Sequence, residues 1–267
     1  MNKLNANEKS RGVVLFAFNS AIDYVSIARN CARLVQKNLK LPVTLITDNY
    51  IDGFDNVIVV NNNLNNFKSA FDNNNWKNSD RYRAYELSPY DETLLIDTDY
   101  LVLDTSLLKL FESDYDYRIM QSNRTLTEKW NLDMGSISVP YMWATVVLFK
   151  KTQRSKMLFD LVGKIQRNYT YYRKLYNIRE GNFRNDYAFT IANLILNGHT
   201  DNVKSNIIWP MLTLDKKINQ LELKDNFIII REQDGANIVA NQNIHIIDKQ
   251  YLLTENFNNF VDKICKD

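Results

Sequence analysis

The feature that most constrains the fold is an alternation of apolar runs with one amphipathic stretch near the start of the chain. Residues 13–18 form an uninterrupted apolar run, the pattern of a strand buried on both faces. After a segment at residues 20–23 that resembles a capping box, apolar residues recur at three- and four-residue steps up to Leu39, which predicts a helix. A second strand is predicted at residues 42–47. This βαβ unit predicts an α/β fold with a mostly parallel central sheet flanked by helices.

The remaining elements follow from the same two periodicities. Further strands are predicted at residues 57–60, 93–96, 100–103, 118–121, 145–149, 227–231 and 244–247. Helices are predicted at residues 81–87, 153–176 and 186–196, and the asparagine-rich residues 61–75 are predicted to form a surface loop. No repeat and no proline- or glycine-rich linker divides the 267 residues, so a single domain over residues 1–267 is expected.

Composition excludes several classes of protein. A chain with 45% hydrophobic and 24% charged residues is typical of folded domains, and a net charge of +2 argues against a uniformly basic surface for nucleic acid. Cys31 and Cys265 lie at opposite ends and suggest neither a disulfide framework nor a zinc site. The polar first residues do not resemble a secretory signal, and no apolar run approaches the roughly 20 residues of a membrane helix. A cytoplasmic protein is expected.

An acidic pair follows the predicted strand at residues 93–96. Asp97 and Asp99 flank Thr98, and both carboxylates can turn toward one point at the carboxyl edge of the sheet, where open α/β sheets bind ligands. Two such groups suit a hard cation, Mg²⁺ or Mn²⁺. Acidic pairs in turns are common without function. Here the flanking apolar runs place the pair inside the sheet, where carboxylates are costly unless something binds them.

The segment at residues 88–102, Ser-Pro-Tyr-Asp-Glu-Thr-Leu-Leu-Ile-Asp-Thr-Asp-Tyr-Leu-Val, resembles the GT-A superfamily of nucleotide-sugar glycosyltransferases. It is similar to small glycosyltransferase-like proteins of tailed bacteriophages and, more distantly, to the retaining family of glycogenin and bacterial galactosyltransferases. The order of elements from residue 13 to about residue 249 also fits. The resemblance implies one Rossmann-like GT-A domain, with a nucleotide-binding half at about residues 11–104 and an acceptor-binding half at about residues 105–250.

The implied activity is a metal-dependent hexosyl or pentosyl transfer from a nucleotide sugar, expected to be a UDP-sugar, to an acceptor hydroxyl. By resemblance, Asp99 is the principal ligand of Mn²⁺ or Mg²⁺, and Asp97 lies near the metal and the ribose. His245 is the candidate third ligand, although the full histidine-glycine-lysine-proline-tryptophan segment of the galactosyltransferases is missing. Lys249 is the candidate for the diphosphate. A packed histidine and an exposed lysine are the alternatives. A phage-encoded protein would act in the host cytoplasm.

The other candidate nucleotide contacts lie at the ends of the first strands, in the acidic motif or on the short helix before it. They are Ala17, Phe18, Asn19, Tyr24, Asp48, Thr98, Arg81 and Arg83. Tyr24 could stack on a base, and Asp48 could accept hydrogen bonds from base or ribose. Arginine pairs well with phosphate oxygens, but spacing does not choose between Arg81 and Arg83. Turn, core and surface roles are the alternatives.

The acceptor side is expected in the second half of the chain. Trp143 is a candidate platform for a sugar ring, with burial in the core as the alternative. Asn185 and Asp186 open a predicted helix, where an N-cap and a first-turn acid are ordinary. The resemblance instead implies a role beside the anomeric carbon. There Asp186 would take the proton of the acceptor hydroxyl if the reaction inverts, or support the positively charged centre if it retains.

A local excess of positive charge bears on the acceptor. Residues 150–184 contain ten basic residues against two acidic ones, mixed with tyrosines. A solvated helix face explains such a run, and so does a surface that binds a phosphate backbone. Modified phage DNA, a glycan and a protein hydroxyl therefore stay open as acceptors.

Two other functional classes are compatible with these patterns. A nucleotidyltransferase can use a related core and metal carboxylates, but no glycine-rich phosphate loop follows the first strand, and Gly12 precedes it. A non-catalytic module that binds nucleotide sugars or nucleic acid is the third class.

Overall fold

A seven-stranded sheet forms the centre of the molecule in the computed structural model, which describes residues 9–61, 77–127, 133–134, 139–179, 181–200, 205–207 and 209–266. The strands are β1 Arg11–Phe16, β2 Val43–Thr47, β3 Asn56–Val59, β4 Glu92–Ile96, β5 Tyr100–Leu101, β6 Tyr117–Met120, β7 Asn123–Arg124, β8 Asp133–Met134, β9 Val139–Pro140, β10 Trp143–Lys150, β11 Asn206–Ile207, β12 Met211–Leu214, β13 Ile218–Lys224, β14 Phe227–Glu232, β15 Gly235–Ala240 and β16 Ile244–Ile246. The helices are α1 Tyr24–Leu39, α2 Ala84–Leu87, α3 Gln153–Arg167, α4 Tyr169–Leu175, α5 Asn185–Leu196 and α6 Glu255–Lys266. Short 3₁₀ helices lie at Lys77–Arg83, Ser106–Glu112 and Tyr251–Leu253.

The central sheet has the strand order β11-β6-β10-β4-β1-β2-β3. β1 runs parallel to β2 and β4, β2 runs parallel to β3, and β6 runs parallel to β11, whereas β10 is antiparallel to its neighbours β4 and β6. All residues of β2 and β4 are buried, as expected for strands covered on both faces. The predicted α/β fold with a mostly parallel sheet is confirmed.

Helix α1 begins later than the capping-box pattern suggested. Asp23 is its N-cap, and the Asp23 carboxylate accepts from the Ser26 backbone N–H at 3.0 Å. The helix ends at Leu39, and the C-cap residue Lys40 adopts the left-handed conformation with φ 57°.

Two smaller sheets lie apart from the central sheet, and the sequence did not predict this division. The order β5-β16-β12-β7 shows that the runs near residues 100 and 245 pair with each other outside the central sheet. The run at residues 227–231 is the middle of an antiparallel sheet, β13-β14-β15. Its burial alternates, because Ile228 and Ile230 are buried while Phe227 is 53% exposed. With α6, which was not predicted, these sheets enclose a second apolar cluster.

The helix predicted at residues 153–176 is divided into α3 and α4. Asn168 leaves the helical conformation at φ −119°, ψ 30°, and its side-chain amide donates to the Lys164 carbonyl at 2.8 Å. Such a local hydrogen bond competes with the helical ladder. The loop predicted at residues 61–75 lies, beyond residue 61, outside the described residues. Across the described ranges, no helix is long and apolar enough to cross a membrane.

Candidate functional site

A buried arginine lies at the centre of the site. Arg81 is on the 3₁₀ helix Lys77–Arg83, and only 2% of its surface is exposed. Its Nη1 donates to Asp97 Oδ1, and its Nη2 donates to the Ala144 carbonyl of β10 at 2.6 Å. Burial lowers the pKa of Arg81 to about 10, although the nearby carboxylates of Asp186 and Asp99 oppose that shift. Arg81 therefore pairs with Asp97 and lies within electrostatic reach of Asp99 and Asp186.

The turn after β4 positions the acidic pair. The Asp97 N–H donates to the Thr145 carbonyl of β10 at 2.9 Å, and the Asp97 carbonyl accepts from the Tyr100 N–H at 3.1 Å. This tight turn buries Thr98 and Asp99, whereas 28% of the Asp97 side chain stays exposed. The pair is thus held at the carboxyl edge of the sheet, as predicted.

Asp99 contacts two groups from the end of the chain. Lys249 Nζ donates to Asp99 Oδ2, and His245 Nε2 lies 3.6 Å from the same oxygen. Burial by itself raises the pKa of Asp99, but the neighbouring Lys249 and His245 outweigh it and hold that pKa well below its usual range. The other oxygen, Oδ1, is buried and has no hydrogen-bond partner among the described residues.

A buried hydrogen-bond chain fixes the His245 ring. Thr213 Oγ1 lies 3.2 Å from His245 Nδ1 and donates to Asn123 Oδ1 at 2.7 Å. Because its only proton goes to Asn123, the Thr213 oxygen accepts the proton on Nδ1. The Nε2 atom of the ring then faces Asp99 Oδ2 at 3.6 Å. Thr213 and Asn123 were not predicted for the site, because no local sequence pattern marks them.

Asp186 reaches the site from the start of α5. Its Oδ1 accepts from the Ala144 N–H at 2.9 Å, next to the carbonyl that Arg81 binds, and its Oδ2 lies 3.4 Å from Arg184 Nη2. Burial raises the pKa of Tyr141, and the neighbouring Asp186 raises it further. Asn185 is the first residue of α5 rather than its N-cap, which is Arg184.

Burial bears on the prediction for Trp143, and ion pairing bears on the choice between Arg81 and Arg83. Trp143 is 5% exposed and packs edge-on against Tyr141, with ring centroids 5.1 Å apart. It belongs to the core, and the prediction of a sugar platform is wrong for this structure because its face is covered. Arg83 lies 3.8 Å from Asp80, whereas Arg81 contacts Asp97, so the arginine beside the acidic motif is Arg81.

The predicted nucleotide contacts lie at the ends of β1 and β2. Ala17 and Phe18 are buried, and the Ala17 N–H donates to the Ile46 carbonyl at 3.0 Å, which extends the pairing of the two strands. Asn19 Oδ1 accepts from the Val25 N–H at 2.9 Å and so supports the start of α1. Tyr24 is half-buried at that start, and Asp48 Oδ1 accepts from the Asn49 amide at 3.2 Å.

The predicted metal ligands offer suitable donor atoms, two carboxylates and an imidazole nitrogen. Within the described part of the chain, however, no three histidine, cysteine or acidic side chains already form a metal-ligand group. Arg81 and Lys249 hold one oxygen of each carboxylate. The buried Asp99 Oδ1 and the Nε2 atom of His245 are the other two donor atoms. The donor set therefore fits a divalent cation if the Lys249 ammonium moves.

Comparison with known proteins gives likenesses of fold. No protein-family model matches the sequence, and a search of curated proteins gives no match.

The structure is similar to the glycosyltransferase GlyE of Streptococcus pneumoniae TIGR4, with 14% identity and a TM-score of 0.44, covering 75% of this chain and 46% of GlyE. This chain therefore spans about half of GlyE. It is also similar to the galactosyltransferase LgtC in complex with donor and acceptor sugar analogs, with 17% identity and a TM-score of 0.46, covering 68% of this chain and 70% of LgtC. At these identities and TM-scores, the likeness does not extend beyond the arrangement of elements.

Proposed function

We propose that this chain is a glycosyltransferase that moves a sugar from a nucleotide sugar, of which a UDP-sugar is the expected donor, to an acceptor hydroxyl. The observation that carries the proposal is the convergence of Asp97, Asp99 and Asp186 around buried Arg81 at the carboxyl edge of the sheet. Ligands of open α/β sheets bind at that edge. One domain would contribute a nucleotide-binding half at about residues 11–104 and an acceptor-binding half at about residues 105–250.

Asp97, Asp99 and His245 would hold Mn²⁺ or Mg²⁺. When bound, such a cation neutralises the charge of the departing diphosphate. Lys249 would then exchange Asp99 for a diphosphate oxygen, because its ammonium is on a flexible four-carbon stem and 12% of its side chain is exposed. Arg81 would keep Asp97 ionised and fixed, because its other nitrogen is anchored on the Ala144 carbonyl.

Asp186 would serve the acceptor. The Ala144 N–H orients its carboxylate beside Arg81, and 14% of the Asp186 side chain is exposed, so an acceptor hydroxyl can approach it. In an inverting reaction it would take the hydroxyl proton, and in a retaining reaction it would support the positive charge at the anomeric carbon. The resemblance to phage proteins adds hydroxymethylated DNA to glycans and protein hydroxyls as acceptor classes, and a cytoplasmic setting fits all three.

A product assay tests this proposal. The protein is incubated with a panel of nucleotide sugars and Mn²⁺, with each acceptor class, and products are identified by mass. Release of nucleoside diphosphate with a glycosylated acceptor is expected. Release of pyrophosphate would instead indicate a nucleotidyltransferase, and binding without turnover across the panel would indicate a non-catalytic module. Turnover that persists in EDTA would contradict the proposed role of the metal. Neutralisation of the diphosphate would then be assigned to Lys249 and Arg81.

A further inference from the structure

A groove opens on the protein surface where α3 meets α4. Its cavity of about 600 Å³ is lined by the end of α3, by α4 and by Gly181, and the side chains of Arg167, Tyr171 and Lys174 contribute to it. We call it the α4 groove. It lies outside the carboxylate site described above, and neither the donor nor the metal explains it.

The cations around the α4 groove differ from the rest of the basic run. Lys150, Lys151 and Arg154 donate to backbone carbonyls, whereas Lys156 and Arg184 pair with carboxylates. The five remaining basic residues form no ion pair with a carboxylate in the part of the chain that the structure describes. They are Lys164, Arg167, Arg173, Lys174 and Arg179.

Arg173 lies at the edge of the groove, and not all of its N–H donors have partners among the described residues. A Cβ added at Gly181 would lie 3.2 Å from Arg173 Nη1, so the guanidinium borders the glycine that lines the cavity. Its Nη2 makes one long contact of 3.5 Å to the Arg179 carbonyl. Its Nε is buried and has no hydrogen-bond partner among the described residues. An anion in the groove would satisfy these donors, and arginine suits phosphate oxygens.

Exposed aromatic surface lies beside these charges. Tyr171 is 64% exposed and is held edge-on by Tyr172, with ring centroids 5.3 Å apart. An exposed ring next to cations that form no ion pair among the described residues is the combination that binds single-stranded nucleotides, because phosphates contact the cations while bases stack on the ring. A purely phosphate- or sulfate-bearing polymer would not need the ring.

We propose that the α4 groove binds single-stranded nucleic acid, with the phosphodiester backbone on Arg167, Arg173 and Lys174 and a base stacked on Tyr171. Tyr169, which lines the groove, packs edge-on against Phe183 at 5.4 Å, three residues before Asp186. Binding needs neither the sugar donor nor a metal, so this proposal goes beyond the transferase activity.

Fluorescence anisotropy with a labelled oligo-dT, in EDTA and without donor, tests the proposal. Tyr171→Ala is expected to weaken binding about 5-fold or more, because stacking on an aromatic ring contributes on that scale. Lys174→Gln is expected to weaken binding and to reduce the slope of log affinity against log salt by about 0.7, the value for one phosphate contact on a single strand. Lys216→Gln, at an exposed lysine between β12 and β13, is the matched control and should bind as wild type.

Three results would overturn the proposal. They are absence of binding, equal affinity for duplex and single strands, and full competition by inorganic polyphosphate together with no effect of Tyr171→Ala. The last result would indicate a general polyanion surface. Asp99→Asn separates the two proposals, because it should abolish sugar transfer while binding the oligonucleotide as wild type.

Discussion

Asp99 combines deep burial with incomplete bonding. Its Oδ2 is shared by Lys249 and His245, and its Oδ1 is buried without a hydrogen bond in the described part of the chain. We expect Asp99→Asn to reduce turnover at least about 100-fold, the scale for losing a group that stabilises charge in the transition state. Nucleoside diphosphate release measures this, and circular dichroism checks the fold. Asp215→Asn, at an exposed aspartate, is the control and should keep wild-type turnover. Substantial turnover in Asp99→Asn would remove Asp99 from the mechanism.

The two arginines of the 3₁₀ helix give a matched pair for stability. Removing one partner of a buried ion pair costs about 3–5 kcal/mol, and we expect Arg81→Met to approach the lower end because Asp97 is partly exposed. Arg83 is 3.8 Å from Asp80 and 26% exposed, so Arg83→Met should change the free energy of unfolding by less than about 1 kcal/mol. Urea denaturation measures both. Equal losses of unfolding free energy in the two variants would contradict a larger stabilising role for Arg81 than for Arg83.

At the scale of elements, the sheet β5-β16-β12-β7 positions His245 beside Asp99. β16 and β12 run parallel, with His245 opposite Thr213, and β7 brings Asn123 to the other side of Thr213. Because a partner behind a ligating histidine fixes its tautomer, Thr213→Val should weaken Mn²⁺ affinity about 10-fold or more, whereas Thr213→Ser should retain it. Isothermal titration with Mn²⁺ measures this without turnover. Unchanged affinity in Thr213→Val would show that the hydrogen bond does not position His245.

The contact of α3 with the 3₁₀ helix depends on a glycine. A Cβ at Gly163 would lie 2.7 Å from Tyr82 Cδ2, and Tyr82 is next to Arg81. Alanine gains about 1 kcal/mol of helix propensity over glycine, but overpacking costs about 1–3 kcal/mol. We therefore expect Gly163→Ala to lower both the unfolding free energy and turnover. Tyr82→Ala in the same chain should relieve the clash. Additive losses in the double variant would exclude steric coupling.

For the whole molecule, the low pKa of Asp99 ties stability to pH. A carboxyl group whose pKa is depressed on folding stabilises the protein above its unfolded pKa, about 3.9, and loses that contribution as the pH falls through the folded value. We expect the unfolding free energy of the wild type to fall below about pH 4 more steeply than that of Asp99→Asn. Urea denaturation between pH 7 and pH 2 measures both curves. Parallel curves would mean that the pairing of Asp99 contributes nothing to folding.

The sequence by itself determined the elements that local periodicity specifies. The apolar run of β1, the amphipathic pattern of α1 and the position of Asp97 and Asp99 after β4 follow from burial on one face or two. These features predict an α/β sheet with an acidic edge. Hydrophobic periodicity indicates which residues are buried, but it does not indicate which other residues they contact.

Only the tertiary structure decided the partners. Lys249 meets Asp99 across 150 residues of chain, and the runs of β5 and β16 pair with each other instead of joining the central sheet. The same packing placed Arg81 rather than Arg83 beside Asp97 and covered the face of Trp143. Such contacts depend on which strands and helices are neighbours in space, and no local stretch of sequence records that.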